Sequence, residues 1–183
     1  MKINMLMKKL LLCLATVLVS GVAMAETKPF NLSLTPDVAV YPRTDTIEGL
    51  TLSVWGENQQ TSLALGIANG TVGDSAGLSW GFILDYADKY KGIQWAAINY
   101  TKDSFLGWQS GFVDYTWGTM MGLQAGVVNY AGRVTGLEFG IVNYTEDVDA
   151  GLQIGIVNIV RNNKSWFSDL PNSLAPAMIF VNW

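Results

Sequence analysis

Polar groups that could do chemistry recur at fixed intervals in this chain. Gln94, Gln109, Gln124, Glu138 and Gln153 follow one another every 14 or 15 residues. Asn69, Asp85, Asn99, Asp114, Asn129, Asn143 and Asn158 form a second series at nearly the same interval. Carboxylates can move protons or hold cations, and amides bind through hydrogen bonds. The partners such chemistry usually needs are missing. The sequence has no histidine and one cysteine, Cys13, so Ser-His-Asp and Cys-His arrangements are excluded. No phosphate loop, dinucleotide fingerprint or zinc spacing occurs. Glu138 stands in a glutamine position, as a selectivity-tuning polar group or a solvated variant. Glu146, Asp147 and Asp149 make an acidic turn, either a weak cation site or ordinary solvated acids. The Asn-x-Ser/Thr matches at Asn69, Asn99 and Asn143 arise from the repeat and need no glycan. No catalytic residue, cofactor or metal is assigned, and an enzyme is not expected.

The element that positions these residues is a repeat of about 15 residues. It reads Gly92-Ile-Gln-Trp-Ala-Ala-Ile-Asn-Tyr100, Gly107-Trp-Gln-Ser-Gly-Phe-Val-Asp-Tyr115 and Gly122-Leu-Gln-Ala-Gly-Val-Val-Asn-Tyr130. It continues as Gly136-Leu-Glu-Phe-Gly-Ile-Val-Asn-Tyr144 and Gly151-Leu-Gln-Ile-Gly-Ile-Val-Asn-Ile159. Degenerate copies stand at Ser62–Gly70 and Gly77–Tyr86, and the repeat is clearest over 77–159.

Within a copy, side chains alternate in kind. Leu137, Phe139 and Ile141 share one parity; Gly136, Glu138 and Gly140 share the other. Side chains alternate across a strand, so each copy is a strand with one bulky apolar face and one small polar face. The period of two and the glycine density exclude a helix. Each strand is about 11 residues long, enough to cross a bilayer when tilted, with about four left for a turn. The expected fold is therefore an antiparallel up-and-down transmembrane β-barrel of about ten strands. These strands lie near 30–40, 49–57, 62–69, 77–86, 90–100, 105–115, 120–130, 134–144, 148–159 and 175–183. Gln94, Gln109, Gln124, Glu138 and Gln153 would then face the lumen, and the Leu, Ile, Trp and Phe face would meet lipid. The tyrosines near strand ends would form an interfacial girdle or pack beside the turns. The rival architecture is a β-solenoid with one repeat per coil, in which the asparagines would stack as a ladder. The bulky face looks too large for the inside of so small a coil.

The N-terminus has the form of a secretory leader. Lys8 and Lys9 precede the apolar run from Leu10 to Val22, and Ala23-Met24-Ala25 is a small-x-small cleavage site. Residues 1–25 are thus expected to be removed, leaving residues 26–183 as one domain. Of the 11 basic residues, three lie in the leader, so the mature chain carries eight cations against 15 anions. A net charge of −7 gives nucleic acid nothing to bind. The segment from Ala175 alternates Ala177, Ile179, Val181 and Trp183, and ends there.

That aromatic end resembles the sorting signal of bacterial outer-membrane barrels. The Gly-Leu-Gln-x-Gly-x-Val-Asn phrase, with Val134 and Val148 before the later copies, resembles a bacterial surface-repeat family of unknown biochemical function. The resemblance covers residues 49–183 and carries no catalytic residues. It implies an outer-membrane protein whose partners are membrane lipid and the barrel-insertion machinery, with Trp183 as the sorting terminus. Three non-catalytic roles follow: a structural or surface-interaction protein, a narrow solute channel, or a solenoid binding scaffold outside the cytoplasm.

Overall fold

A computed structural model describes residues 26–183 of the chain; the expected leader, with Cys13, lies outside the described residues. The described chain is a β-solenoid. Five extended runs make it up: β1 (Thr27–Thr35), β2 (Val38–Ala39), β3 (Thr46–Trp95), β4 (Ile98–Val160) and β5 (Ala177–Asn182). The two long runs are not single straight strands. Each winds through several coils, and every coil pairs with the next.

The pairing is parallel, which overturns the antiparallel ten-strand barrel. Tyr90 sits beside Phe105, Gly92 beside Gly107 and Gln94 beside Gln109, each 15 residues on. A barrel of hairpins would reverse direction at each turn. Here the residues assigned to turns, such as Thr101 to Ser104, stay extended and pair in the same sense. At about 3.3 Å per residue, 15 residues give a coil with a perimeter of about 50 Å. Such a coil is narrow, and its interior is filled by stacked Gln, Asn and Thr side chains and one apolar column.

One corner of the coil repeats at a glycine. Gly77, Gly92, Gly107, Gly122 and Gly136 all have φ between +119° and +139°. L-residues rarely adopt that region, so glycine is required where the chain turns. With Ser62 before them and Gly151 after, these positions stack through six turns. Ser62 holds the same conformation, φ 130°, with a side chain exposed to solvent. Ser62→Gly is therefore expected to raise stability by about 1 kcal/mol, the relief of backbone strain less the entropy of a freer unfolded chain. A urea melt checks this; a lower midpoint would show that Ser62 carries no strain.

The copy at 77–86 has one residue more than the next before its Asp85 rung. A register shift between Ala87 and Lys89 takes that residue back, so the coil still closes at 15. Both ends of the parallel stack are covered by antiparallel strands. β2 pairs with β1, and β5 pairs with the last coil, with Gln153 beside Asn182 and Ile154 beside Val181. The C-terminal segment is thus a cap rather than the closing strand of a barrel. Such a cap removes the open edge that would otherwise recruit another chain.

Candidate functional site

A coil has an inside and an outside, and the parity of the repeat decides which residue goes where. The small polar face is inside. Gln94, Gln109, Gln124, Glu138 and Gln153 are at most 1% exposed, within a packed interior rather than a water-filled lumen. Gln109 Nε2 donates to Gln94 Oε1 at 3.0 Å, and Gln124 Nε2 donates to Gln109 Oε1 at 2.8 Å. Gln153 Nε2 donates to Glu138 Oε2 at 2.7 Å. Thr101 and Thr116 hydroxyls donate to Gln94 and Gln109 from within the same coils.

The second series forms another ladder. Asn99 Nδ2 donates to Asp114 Oδ1, Asn129 Nδ2 to Asn143 Oδ1 and Asn143 Nδ2 to Asn158 Oδ1, each at 2.7 Å. The other hydrogen of each amide goes to a backbone carbonyl of the next coil: Ser110 O, Phe139 O and Ile154 O. The glycosylation matches are thereby closed off, since Asn69, Asn99 and Asn143 are buried. One apolar stack completes the interior: Tyr90, Phe105, Met120 and Val134, with Ala87 and Ala131 beside them.

The bulky face is outside. From the copy at 62–70 to the copy at 151–159, no outward position carries a charge. Phe82 is 76% exposed and Phe112 68%, and Trp80, Phe139, Ile141 and Ile156 are also exposed. The single polar side chain here, Ser110, spends its hydroxyl on Ala125 O at 3.0 Å. Aromatic rings stack from coil to coil. Trp80, Trp95 and Trp108 lie 5.8 and 6.5 Å apart, and Tyr100, Tyr115, Tyr130 and Tyr144 lie 5.7, 4.3 and 5.5 Å apart. The tyrosines are thus a continuous column. Where Ala97, Ser110 and Ala125 replace larger residues, the wall dips into a groove of 680 Å³ edged by Trp80, Trp95, Phe112 and Phe139.

The exposed charges are segregated to the other sides of the coil, and several of them are paired. Arg133 meets Asp149 at 2.8 Å, Arg161 meets Glu146 at 3.0 Å and Lys89 meets Asp74 at 3.4 Å. Asp147 accepts from Asn162 Nδ2 at 3.1 Å. The acidic turn is therefore tied to neighbouring coils rather than gathered around a cation. Among the described residues, no group of three or more His, Cys, Asp or Glu side chains could hold a metal. Trp183 packs on the cap, where its Nε1 donates to Pro171 O at 2.8 Å. The segment 160–174 folds on itself, with the Phe167 amide bonded to Leu174 O at 2.9 Å.

The candidate site is the uncharged wall. Its residues were visible in the sequence as the bulky face, but the groove was not, because it depends on which small residues become neighbours in successive coils. No protein-family model, curated protein or solved structure matches the chain.

Proposed function

We propose that this protein is a non-catalytic β-solenoid scaffold of the bacterial cell envelope that lies on a lipid surface through its uncharged wall. The observation that carries the reading is the absence of any charged residue at the outward positions of seven stacked copies, with the one hydroxyl there already bonded internally. Contiguous apolar patches of that extent mark membrane or protein interfaces. Strand spacing and rise make the wall about 30 by 20 Å, or about 600 Å². That is less than the roughly 800 Å² each partner buries in a stable protein complex. Protein interfaces also carry about one hydrogen bond per 100–200 Å², and apart from the indole N–H groups of Trp80, Trp95 and Trp108 this wall offers no free polar side chain. Hydrocarbon needs no polar register. The stacked tyrosines suit the boundary between lipid and water, and the exposed charges on the other sides stay in water. The expected secretory leader and the surface-repeat resemblance support an envelope location.

Flotation with phosphatidylcholine vesicles tests the proposal. The mature chain is expected to float, and to bind anionic vesicles less well because of its −7 charge. Phe82→Glu with Phe112→Glu should lower the bound fraction at least tenfold without changing the melting temperature, since both rings are exposed. A chain that stays in the aqueous fraction, or that dimerises instead in sedimentation, overturns the reading.

A further inference from the structure

Three carboxyl groups stand inside the amide ladders, and their positions leave a specific pattern of unpaired oxygens. In the asparagine series each amide donates forward, to the next coil. Asp85 and Asp114 have no amide hydrogens to donate. The oxygens one coil after them, Asn99 Oδ1 and Asn129 Oδ1, are buried without a partner. Asn143 Oδ1 and Asn158 Oδ1 follow asparagines, and both are bonded. In the glutamine series each amide donates backward. Glu138 cannot, and Gln124 Oε1, the oxygen behind it, is buried without a partner. Gln94 Oε1 and Gln109 Oε1 are followed by glutamines and are bonded. Each acid also has its own unpaired oxygen: Asp85 Oδ1 and Oδ2, Asp114 Oδ2 and Glu138 Oε1.

We infer that Asp85, Asp114 and Glu138 are folded in their protonated form, each O–H replacing the missing amide hydrogen, so that the solenoid is a proton-locked fold that loosens as pH rises. Each carboxylate takes one proton from solvent on folding. The new O–H groups donate to Asn99 Oδ1, Asn129 Oδ1 and Gln124 Oε1. Two unpaired buried oxygens are thereby satisfied for each proton, where an anion would face another acceptor in a dry interior.

The surroundings favour the neutral form. Burial pushes Asp85 up to about 7, Asp114 to about 6 and Glu138 to about 7. No lysine or arginine acts on any of the three. Ser79, Asn69 and the amides of Gly81 and Trp95 stand near Asp85, but none completes a hydrogen bond to it. Tyr90 is the one titratable group coupled to Asp85, and that buried hydroxyl is itself raised by desolvation. Beside Asp114 are the Asn99 amide and the backbone of Gly111 and Ala125; beside Glu138 is the Gln153 amide. At the Asp114 rung the Ser110 hydroxyl supplies the second lost bond, reaching Ala125 O, the carbonyl that an asparagine at 114 would serve.

The sign follows from proton counting. The folded values lie above the usual unfolded carboxyl values of about 4, so the folded state holds more protons. The stabilisation is complete below about pH 4 and is lost as pH rises through the folded values near 6 to 7. Between those limits the unfolding constant should rise by up to about a thousandfold per pH unit, one factor of ten per proton.

The test replaces each acid by its amide in the mature chain: Asp85→Asn, Asp114→Asn and Glu138→Gln together. The amides restore the rungs at every pH. The triple variant is expected to melt higher than wild type at pH 8 and at the same temperature near pH 4. A variant that melts at or below wild type at pH 8, or a difference that does not change with pH, overturns the inference. Infrared spectroscopy of the wild type reads the protons directly and does not depend on the variant folding. A protonated-carboxyl stretch is expected at pH 5.5, where exposed carboxyls are ionised, and its absence there overturns the inference.

Discussion

Gly107→Ala is expected to abolish folding of the middle of the solenoid, at a cost above about 4 kcal/mol. The glycine has φ +139°, and a Cβ there would overlap the carbonyl oxygen of Gly92 in the coil before. That oxygen is backbone and is held by a parallel ladder, so nothing flexible can move aside. Strain in the dihedral adds to the overlap. Domains hold only about 5–15 kcal/mol in total, so one methyl group removes much of it. Each coil touches only its neighbours, and a break at Gly107 also unpins Gly92 and Gly122. Circular dichroism and urea unfolding measure the loss. Gly73→Ala is the control. It too has positive φ, +62°, but the nearest atoms, of the Gln59 side chain, are 3.8 Å away. Only the left-handed penalty of about 1 kcal/mol applies there.

Gln109→Leu is the second large effect, expected to cost about 4 kcal/mol although leucine is the more apolar residue. The Gln109 amide makes four bonds: to Gln94 Oε1 at 3.0 Å, to Thr101 Oγ1 at 3.3 Å, from Thr116 Oγ1 at 3.2 Å and from Gln124 Nε2 at 2.8 Å. Leucine would leave Gln94 Oε1 without its partner in the next coil and take an acceptor from Gln124. Unmade bonds to buried groups cost about 1–3 kcal/mol each, and those left here sit in one network. Trp108→Leu, at the adjacent position, should change stability by less than about 1 kcal/mol, because that ring faces outward. Urea midpoints of the two variants therefore report which face is the core. If Trp108→Leu proved the costlier, the interior would be the apolar face after all.

That contrast also shows where a reading of the sequence reached its limit. The two faces and their membership were legible from parity alone, but the glutamines, expected to line a lumen, lie in a packed interior. The barrel reading rests on a strand of about 11 residues with four left for a turn, on an aromatic C-terminal strand, and on a bulky face too large for the inside of so small a coil. In the structure it does not have to fit. The interior is built from Gln, Asn and Thr side chains that satisfy one another along the axis, beside the stack of Tyr90, Phe105, Met120 and Val134, and the bulky face of the repeat phrase stays outside. The sign that distinguishes the two folds was present in the spacing. An antiparallel hairpin reverses residue order across the turn, so it gives no reason for Gln109 to lie beside Gln94. Parallel stacking puts like against like at every rung, and a ladder rewards the same residue at the same place in each copy. The C-terminal strand misled in a different way. An alternating strand ending in Trp183 has the same pattern whether it closes a barrel or caps a coil, although in this cap Ile179, Phe180 and Val181 stay exposed.

By itself the chain determined a 15-residue period, two faces per copy, a recurring glycine on the small face and the absence of histidine-based chemistry. These are local properties, written in residue type and spacing. Only the tertiary structure decided the direction in which neighbouring copies run, and with it everything that depends on neighbours. The donors and acceptors of the ladders, the unpaired oxygens around Asp85, Asp114 and Glu138, and the aromatic-edged groove all arise between coils. Strand direction is a long-range property: the same alternation satisfies a strand paired either way, and the choice rests on contacts 15 residues apart that no single copy contains.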